Sequence, residues 1–261
     1  MEEVYNTNTK YLSSIKKRPN ILTIAGFDPS GGAGILADIK TFEQNSCIGM
    51  AVQTANTIQS GSVFLDSNWI GEDVILKQLN ILLSSYTFKY VKIGLVPNLI
   101  LLNTLIKSCI KHNRNVKIIW DPVLSTTSGH NFDQDLSSIA PILKQIHLIT
   151  PNHDEALKLS RSENPKDGAY KLSKHCMVLL KGGHCKDNLG YDILFFNDQQ
   201  IVFKPKSIRY FPKHGTGCIL ASAITSNLAK GYTLQKSVLR SKRYIEHFIE
   251  SNSTLIGSHK P

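Results

Sequence analysis

The 261-residue sequence lacks the patterns that mark disulfide-bonded, zinc-binding or membrane proteins. Its five cysteines are an odd number and include no Cys-x-x-Cys pair, which argues against a disulfide framework and a zinc site. All its apolar runs are much shorter than a membrane-spanning helix, and residues 1–18 hold no apolar stretch of the signal-peptide kind. We therefore expect a cytoplasmic protein with reduced cysteines and no membrane partner.

Aromatic residues are also few, at 8% of the chain, and they do not alternate with basic residues. The formal charge of +10 is high, but the lysines and arginines are dispersed, and their densest late run, 236–243, falls on a predicted helix. Proteins that bind single-stranded nucleic acid need a basic groove with interleaved aromatic side chains. We expect no nucleic-acid partner; a positive cleft would instead attract an anionic small molecule.

What the sequence does contain is a regular alternation of strand and helix patterns. Short apolar runs predict strands over 21–25, 51–55, 90–94, 116–120, 146–149 and 177–180, with a hairpin over 190–203. Apolar residues at helical spacing predict helices over 34–44, 74–83, 99–110, 216–229 and 234–250, and another after residue 152. The alternation indicates an α/β fold with a mostly parallel central sheet and helices on both faces.

Residues able to do chemistry directly follow five of the predicted strands. They are the loop 26–34, Gly94, Asp121, the segment 150–152 and the segment 181–184. Because right-handed crossovers bring the carboxyl ends of parallel strands to one edge of the sheet, ligands bind at that edge. The sequence therefore predicts one site, in a single domain over residues 19–261 that follows a polar N-terminal extension, residues 1–18.

The most informative segment is Gly215-Thr216-Gly217-Cys218, which leads into a predicted helix. The first turn of a helix has backbone N–H groups without partners and a positive dipole end, so it attracts phosphate. A thiol beside such an anion site is expected to have its ionised form favoured. The segment could supply both a charge-stabilising pocket and a proton acceptor. The alternative is an ordinary helix start with a buried structural cysteine.

The glycine-rich loop 26–34 opens another predicted helix. Its Gly32-x-Gly34-x-x-Ala37 pattern formally matches a dinucleotide fingerprint, but residues 28–30 separate the glycines from the strand and no acidic residue follows at the required distance. A Gly-Lys-Ser/Thr phosphate loop is absent as well. We expect the loop to approach a small ligand, with a dinucleotide-dependent oxidoreductase as a weak alternative. Asp38, in the following helix, is either a ligand contact or a solvated helix residue.

Carboxylate and amide oxygens follow two strands, at Asp121 and at Asn152 with Glu155. Magnesium prefers a few such oxygens while it keeps several waters, so these residues are the candidate metal site, directly or through water. Asn152 and Glu155 are also spaced as a helix capping box, and both interpretations can hold together. Lys181 could contact nucleotide phosphates as a point charge.

Together these segments resemble the hydroxymethylpyrimidine/phosphomethylpyrimidine kinases of thiamine biosynthesis, in the ribokinase-like superfamily. The matching stretches follow the family's order between residues 21 and 231; they are 22–42, 92–94, 121–123, 150–156, 181–184 and 214–218. The resemblance implies a ribokinase-like three-layer α/β/α fold, with ATP and Mg²⁺ as cofactors. It also implies phosphorylation of a small-molecule pyrimidine, its monophosphate or both, and a homodimer, since relatives are often dimers.

The resemblance also implies a role for individual residues. The catalytic set, with the Cys218 thiolate as base and the loop as the holder of the migrating charge, is Gly215, Thr216, Gly217 and Cys218. The pyrimidine contacts are Gly26, Asp38, Gln59, Leu95 and Val123. The ATP contacts are Lys181, Asn152, Gly183 and His214. The chain departs from the family at 126–129, where many relatives carry a lysine, and after residue 252, where a glycine-rich ending is common.

Two alternatives to a pyrimidine kinase stay open. A pyridoxal kinase can carry the same cysteine loop and acts on another aromatic ring with a hydroxymethyl group. A non-catalytic ligand-binding relative is the second alternative, because a fold alone does not guarantee activity. The segment 60–68, a polar excursion between core elements, is the predicted lid.

Overall fold

The structure is a computed structural model that describes residues 17–124, 136, 139–183, 189–206 and 210–259. Residues 1–16 of the predicted extension, the departure at 126–129 and His184 lie outside the described residues. Within the ranges given, no helix combines the length and the apolar character needed to cross a lipid bilayer.

Nine described strands form one sheet. They are β1 (Asn20–Phe27), β2 (Ile48–Gln59), β3 (Phe64–Trp69), β4 (Tyr90–Ile93), β5 (Lys117–Trp120), β6 (Leu148–Ile149), β7 (Met177–Leu180), β8 (Asp192–Phe196) and β9 (Gln199–Phe203). The helices are α1 (Gly34–Gln44), α2 (Glu72–Ser85), α3 (Leu99–His112), α4 (Ile139–Leu143), α5 (His153–Ser160), α6 (Pro165–Leu172), α7 (Thr216–Ala229) and α8 (Leu234–Glu250).

In space the strands follow the order β3-β2-β1-β4-β5-β6-β7-β8-β9. The six strands from β2 to β7 in this order pair in parallel, and antiparallel strands extend the sheet at both edges. The order reverses at β1, because the chain moves from β1 to β2 on one side and later to β4 on the other. Ligands bind outside the carboxyl ends of the strands at such a reversal, which is where the predicted site residues lie.

Successive residues of the central strands point to opposite faces of the sheet, and each face has its own hydrophobic core. Ile118 and Trp120 of β5 join the core formed with α2, α3, α5 and α6. Ile119, between them, joins the core formed with α7 and α8. The predicted three-layer α/β/α fold with a mostly parallel sheet is therefore confirmed.

The predicted bounds of α1, α7 and α8 agree with the structure, but β3, α4 and α6 have no counterpart in the prediction. The sequence of β3, Phe-Leu-Asp-Ser-Asn-Trp, lies at the edge of the sheet and is mostly exposed, so it lacks the apolar run of a buried strand. The segment 60–68, predicted as a lid, consequently includes most of β3 and is a loop only in its first part.

Candidate active site

The loops at the carboxyl ends of the parallel strands enclose a cleft of about 1100 Å³. Fourteen of the fifteen predicted site residues line it: Gly26, Gln59, Leu95, Asp121, Val123, Asn152, Glu155, Lys181, Gly183, His214, Gly215, Thr216, Gly217 and Cys218. Asp38 is not part of the lining. The fold therefore brings together residues that are distant in the chain, as the strand-end argument predicts.

The loop before α7 has the geometry of an anion-binding helix start. Gly215 is the N-cap of α7, with a φ of 74°, and no side chain caps the first turn. A Cβ at Gly215 would lie 1.9 Å from the carbonyl oxygen of Gly32, so only glycine fits between the two glycine-rich loops. Residues 216–218 line the cleft, where the N–H groups of the first turn and the helix dipole attract an anion.

Lys181 connects this loop to the acidic side of the cleft. Its Nζ lies 2.8 Å from Asp121 Oδ1 and 3.8 Å from Glu155 Oε2. A Cβ at Gly217 would lie 3.1 Å from the same Nζ, so the ammonium reaches the first turn of α7. Burial alone would lower the pKa of Lys181, but Asp121 and Glu155 raise it. Lys181 is therefore a permanent positive charge beside residues 215–218, here called the anion loop.

The two carboxylates of the cleft are in different electrostatic states. Burial would raise the pKa of Asp121, but Lys181 and Lys92 hold it below its usual range, so Asp121 is ionised. Burial raises the pKa of Glu155 to about 7, although Lys181 opposes the shift. Thr150 Oγ1 also donates a hydrogen bond to Asp121, at 2.9 Å. The site thus holds one fixed negative charge and one that titrates near neutrality.

Asn152 and Glu155 form the capping box that their spacing predicts. The Asn152 N–H donates to Glu155 Oε2 at 2.7 Å, and the Glu155 N–H donates to Asn152 Oδ1 at 2.8 Å. These bonds occupy one oxygen of each side chain at the start of α5. In the part of the chain that the structure describes, no group of three or more His, Cys, Asp or Glu residues is arranged to hold a metal ion. A metal here would be held mainly through water.

Cys218 lies in the first turn of α7, where the sequence predicts a thiol with its ionised form favoured. Burial instead raises the pKa of Cys218 to about 12, although Lys92 and a hydrogen bond from the Gly34 backbone act in the opposite direction. At neutral pH the resting side chain is a neutral thiol, so this prediction is wrong. The physical reason is that desolvation in the enclosed cleft outweighs the nearby positive charge.

Asp38 is fully buried beneath the cleft and bound by protein groups. Lys92 Nζ donates to its two oxygens at 2.9 and 2.8 Å, and the hydroxyls of Thr23 and Ser222 each donate at 2.6 Å. The structure therefore does not bring Asp38 into the lining of the cleft, and the pyrimidine contact stays a prediction, whereas the alternative of a solvated helix residue is wrong. Its carboxylate has a structural role, since it joins α1 to β1, β4 and α7.

Asp28 is a site residue that the sequence prediction misses. Its carboxylate accepts hydrogen bonds from the N–H groups of Ser30 and Ala33 at 2.9 and 2.8 Å, and His214 Nε2 lies 2.8 Å from Oδ2. Burial would raise the pKa of Asp28, but His214 and Ser30 lower it. Asp28 thus links the loop 26–34 to the loop before α7. The Asp-Pro-Ser sequence, which is typical of a turn held by an aspartate side chain, is the feature that could have revealed it.

Residues 251–259 lie against the same loops. The His214 N–H donates to the Leu255 carbonyl oxygen at 2.9 Å, and Leu255 lines the cleft. A Cβ at Gly61, in the turn between β2 and β3, would lie 3.3 Å from both Leu255 and Ile256. This segment therefore contacts both the anion loop and the β2–β3 turn.

The chain is similar to proteins of a known family. A family model described as phosphomethylpyrimidine kinase matches residues 28–261. The chain belongs to the phosphomethylpyrimidine kinase family. The resemblance predicted from the strand-end and glycine-rich segments is thereby confirmed.

Individual relatives differ in how much of their length is matched. A hydroxymethylpyrimidine/phosphomethylpyrimidine kinase of Aquifex aeolicus is 33% identical over 90% of this chain and 95% of its own length. One of Saccharomyces cerevisiae is 33% identical over 94% of this chain but only 48% of its own length, so the chain spans about half of that relative. Among solved structures, the pyridoxal kinase from Staphylococcus aureus in complex with AMP-PCP matches with a TM-score of 0.79 and 25% identity, over 90% of this chain and 89% of that one.

Proposed function

We propose that this protein is an ATP-dependent kinase of thiamine biosynthesis that phosphorylates 4-amino-5-hydroxymethyl-2-methylpyrimidine, its monophosphate or both. The observation that carries the proposal is that one cleft holds the anion loop 215–218, the charged Lys181 and an apolar platform. Leu95 contributes to that platform, with Val123 and Phe64 packed against it. Membership of the phosphomethylpyrimidine kinase family supports the same reaction.

Phosphoryl transfer needs alignment and charge neutralisation more than covalent chemistry from the protein. In the proposal, the N–H groups of residues 216–218 hold the oxygens of the migrating phosphoryl group. Lys181 is suited to bind nucleotide phosphates because Asp121 and Glu155 keep its ammonium charged. Gly183 and His214 line the same cleft and complete the proposed ATP contacts.

Asp121 and Glu155, with Asn152 beside them, are suited to hold Mg²⁺ through water. These residues would contact the ion through its bound waters and not directly. Asp121 Oδ1 already accepts hydrogen bonds from Lys181 and Thr150, and Asn152 Oδ1 caps α5. Magnesium bound there would neutralise charge on the nucleotide phosphates. The protein's own contribution is to keep ionised oxygens and the Lys181 ammonium on one side of the cleft.

Cys218 is the proposed acceptor of the substrate hydroxyl proton. Its pKa of about 12 makes the thiolate a minor species at neutral pH, but a strongly basic one. Lys92 and the Gly34 backbone favour that thiolate and would stabilise it during transfer. The proton would move from the hydroxyl oxygen to the Sγ thiolate while that oxygen attacks the γ-phosphorus of ATP, and the bond from the phosphorus to the leaving ADP oxygen would break.

The pyrimidine ring is proposed to lie on the platform of Leu95 and Val123, with Gly26 and Gln59 at its edge. A Cβ at Gly26 would lie 3.0 Å from Leu95, so glycine lets a flat ring approach the backbone there. The Gln59 amide has both a donor and an acceptor for ring nitrogens and an exocyclic amine. Asp38 is left out of this set because its oxygens are bound within the protein.

A coupled ADP-release assay with the hydroxymethylpyrimidine, its monophosphate and pyridoxal tests the proposal. Cys218→Ala should lower kcat by about 10²–10⁴ because it removes the base. AMP-PCP binding should be unchanged. Cys176→Ala is the matched control, since Cys176 is half-buried outside the cleft and should leave kcat near wild type. Full turnover by Cys218→Ala would refute the base, and absence of ADP release with every pyrimidine alcohol would refute the kinase.

Pyridoxal is a second candidate substrate. The TM-score of 0.79 to a pyridoxal kinase favours it as a fold-level argument. Both substrates place a hydroxymethyl group on an aromatic ring, so the same loop and platform suit either one. A higher kcat/KM for pyridoxal than for both pyrimidines in the same assay would make pyridoxal the preferred substrate.

The proposal also includes a homodimer in a reducing, cytoplasmic environment, without a nucleic-acid partner. Exposed apolar side chains on the β2–β3 hairpin support a second copy, with Leu65 72% exposed and Ile58 48% exposed. The cysteines that the structure describes, Cys47, Cys109, Cys176 and Cys218, are free thiols, which supports a reducing compartment. Light scattering of the purified protein would test the dimer.

A further inference from the structure

Lys242 and Asp192 form a buried ion pair that the sequence does not reveal. Lys242 lies in the middle of α8 and Asp192 begins β8, fifty residues earlier in the chain. Their Nζ and Oδ2 atoms are 2.8 Å apart, and the two side chains are 4% and 7% exposed. Both residues line the cleft. Two opposite charges that neutralise each other are therefore part of the wall of the cleft.

The remaining bonds of this pair converge on one loop. Asp192 Oδ1 accepts a hydrogen bond from the Gly182 N–H at 3.0 Å, and Lys242 Nζ donates to the Gly190 carbonyl oxygen. The Gly190 N–H in turn donates to the Gly182 carbonyl oxygen at 2.9 Å. Gly182 is thus held through both of its backbone polar groups. The Lys242–Asp192 pair is connected to each of them.

Gly182 also has no room to move toward β8. A Cβ at this position would lie 2.0 Å from the Tyr191 carbonyl oxygen, so the backbone of the loop is pressed against the residue before β8. Gly182 lies between Lys181 and Gly183, two of the proposed ATP contacts. A shift of the Gly182 backbone would therefore displace the Lys181 ammonium and the Gly183 backbone together.

We propose that the Lys242–Asp192 pair is a positioning device that sets the 181–183 loop against the nucleotide phosphates. This rests on the proposed function, because it assumes that Lys181 binds ATP. A buried ion pair adds little net stability compared with apolar packing, since desolvating the charges offsets their attraction. Removing one partner nevertheless leaves the other charge buried and unpaired, so each single variant should also lower the free energy of unfolding. A positioning role requires that nucleotide affinity falls as well.

The test compares Lys242→Met and Asp192→Asn with the wild-type protein. Asp192→Asn keeps an acceptor for the Gly182 N–H and is the milder change. Each variant should raise the KM for ATP and the Kd for AMP-PCP, by about tenfold for Lys242→Met, because a charge-assisted bond to the loop is lost. The KM for the pyrimidine should stay within about twofold. The double variant should lose little more than Lys242→Met, since the two groups act as a unit.

Val238→Ala is the matched control for a purely structural effect. Val238 is fully buried on the same helix, one turn before Lys242, and does not line the cleft. It should lower the melting temperature and leave both KM values unchanged. If Lys242→Met and Asp192→Asn also lower only the melting temperature, the positioning role is refuted. If the wild-type protein binds no AMP-PCP at all, the proposed function fails instead.

Discussion

Lys92 and Lys181 each pair with an aspartate, but the two lysines differ in how accessible they are. Lys92 and its partner Asp38 are completely inaccessible, and hydroxyl groups on β1 and α7 occupy the rest of the carboxylate. Lys181 and Asp121 form a pair of the same length, but the Lys181 side chain is 12% exposed and reaches the anion loop. The second pair is therefore the one whose ammonium is accessible from the cleft.

The raised pKa of Cys218 makes a direct prediction for its reactivity. Iodoacetamide attacks the thiolate, so the alkylation rate of Cys218 should be low at neutral pH. It should rise with pH beyond pH 9, because burial moves the pKa toward about 12. Mass spectrometry of the peptide that contains Cys218 measures the rate across pH. A rate that levels off below pH 8 would contradict the assignment.

At this scale the sequence predicts position well and orientation poorly. Residues after strands could be assigned to one cleft because parallel topology brings strand ends together. The direction of Asp38 could not be predicted, because its partners Thr23, Lys92 and Ser222 lie on three other elements. The prediction that the thiolate form of Cys218 is favoured was wrong for a related reason. Desolvation depends on how tightly the cleft closes, which local spacing does not contain.

Two glycine-rich loops meet at the N-terminus of α7, and their packing defines the proposed anion site. Gly215 adopts a φ of 74° and lies directly against the Gly32 carbonyl oxygen. Asp28 and His214 join the same two loops through side chains. The loop before α7 is consequently held by its backbone shape and by the hydrogen bond between Asp28 and His214.

Gly215→Ala should disrupt this element strongly. Its Cβ would lie 1.9 Å from the Gly32 carbonyl oxygen, so the two loops must separate, in addition to the cost of about 1–2 kcal/mol for a left-handed alanine. We expect kcat to fall by at least about 100-fold, as for the loss of an oxyanion-hole donor. Steady-state kinetics and thermal unfolding measure both effects.

Gly231→Ala is the control for that change. Gly231 has a φ of 88°, and a Cβ there would meet nothing within 4 Å. It should show the backbone cost alone, with a modest loss of melting temperature and normal kcat. Equal losses of activity in the two variants would show that contact with Gly32 does not matter.

Elements with a clear apolar pattern, whether periodic or continuous, were predictable, and polar edge elements were not. The bounds of α7 follow from a glycine start and a continuous run of small and apolar residues. β3 is an exposed strand without an apolar run, and its strand character comes from antiparallel pairing with β2. α6 is an eight-residue helix with an Asn164 cap, too short for a clear period.

For the whole molecule, the nine-stranded sheet separates two hydrophobic cores, and the loops that line the cleft lie at the carboxyl ends of its parallel strands. The parallel centre could be expected from strand–helix alternation. The strand order could not, because apolar runs show that strands are buried without showing which strands are neighbours. The antiparallel pairing of β7 with β8 is an example, since it brings Asp192 beside Gly182.

The contribution of His147 to stability should decrease in mild acid. Burial lowers the pKa of His147 to about 4, with Lys117 adding to the shift, from 6.5 for an ordinary histidine. At His147 the unfolded chain therefore binds more protons than the folded protein between pH 4 and 6.5, and this contribution lowers stability as the pH drops through that range. His147→Gln should remove about 1–3 kcal/mol of that dependence, given about 1.4 kcal/mol per pKa unit.

Urea unfolding at several pH values between 4 and 7 measures this effect. The control is His112→Gln, which replaces an exposed histidine on α3. It should leave the pH dependence as in the wild-type protein. An unchanged slope for His147→Gln would show that another group is responsible.

The 251–259 segment has a practical consequence. It touches the anion loop through His214 and the β2–β3 turn through Gly61, while Ser253 within it is exposed to solvent. An environment-sensitive dye attached at residue 253 would lie outside the cleft. It would still be on a segment that contacts both His214 and the β2–β3 turn. The segment is thus a natural place for an optical reporter of ligand occupancy.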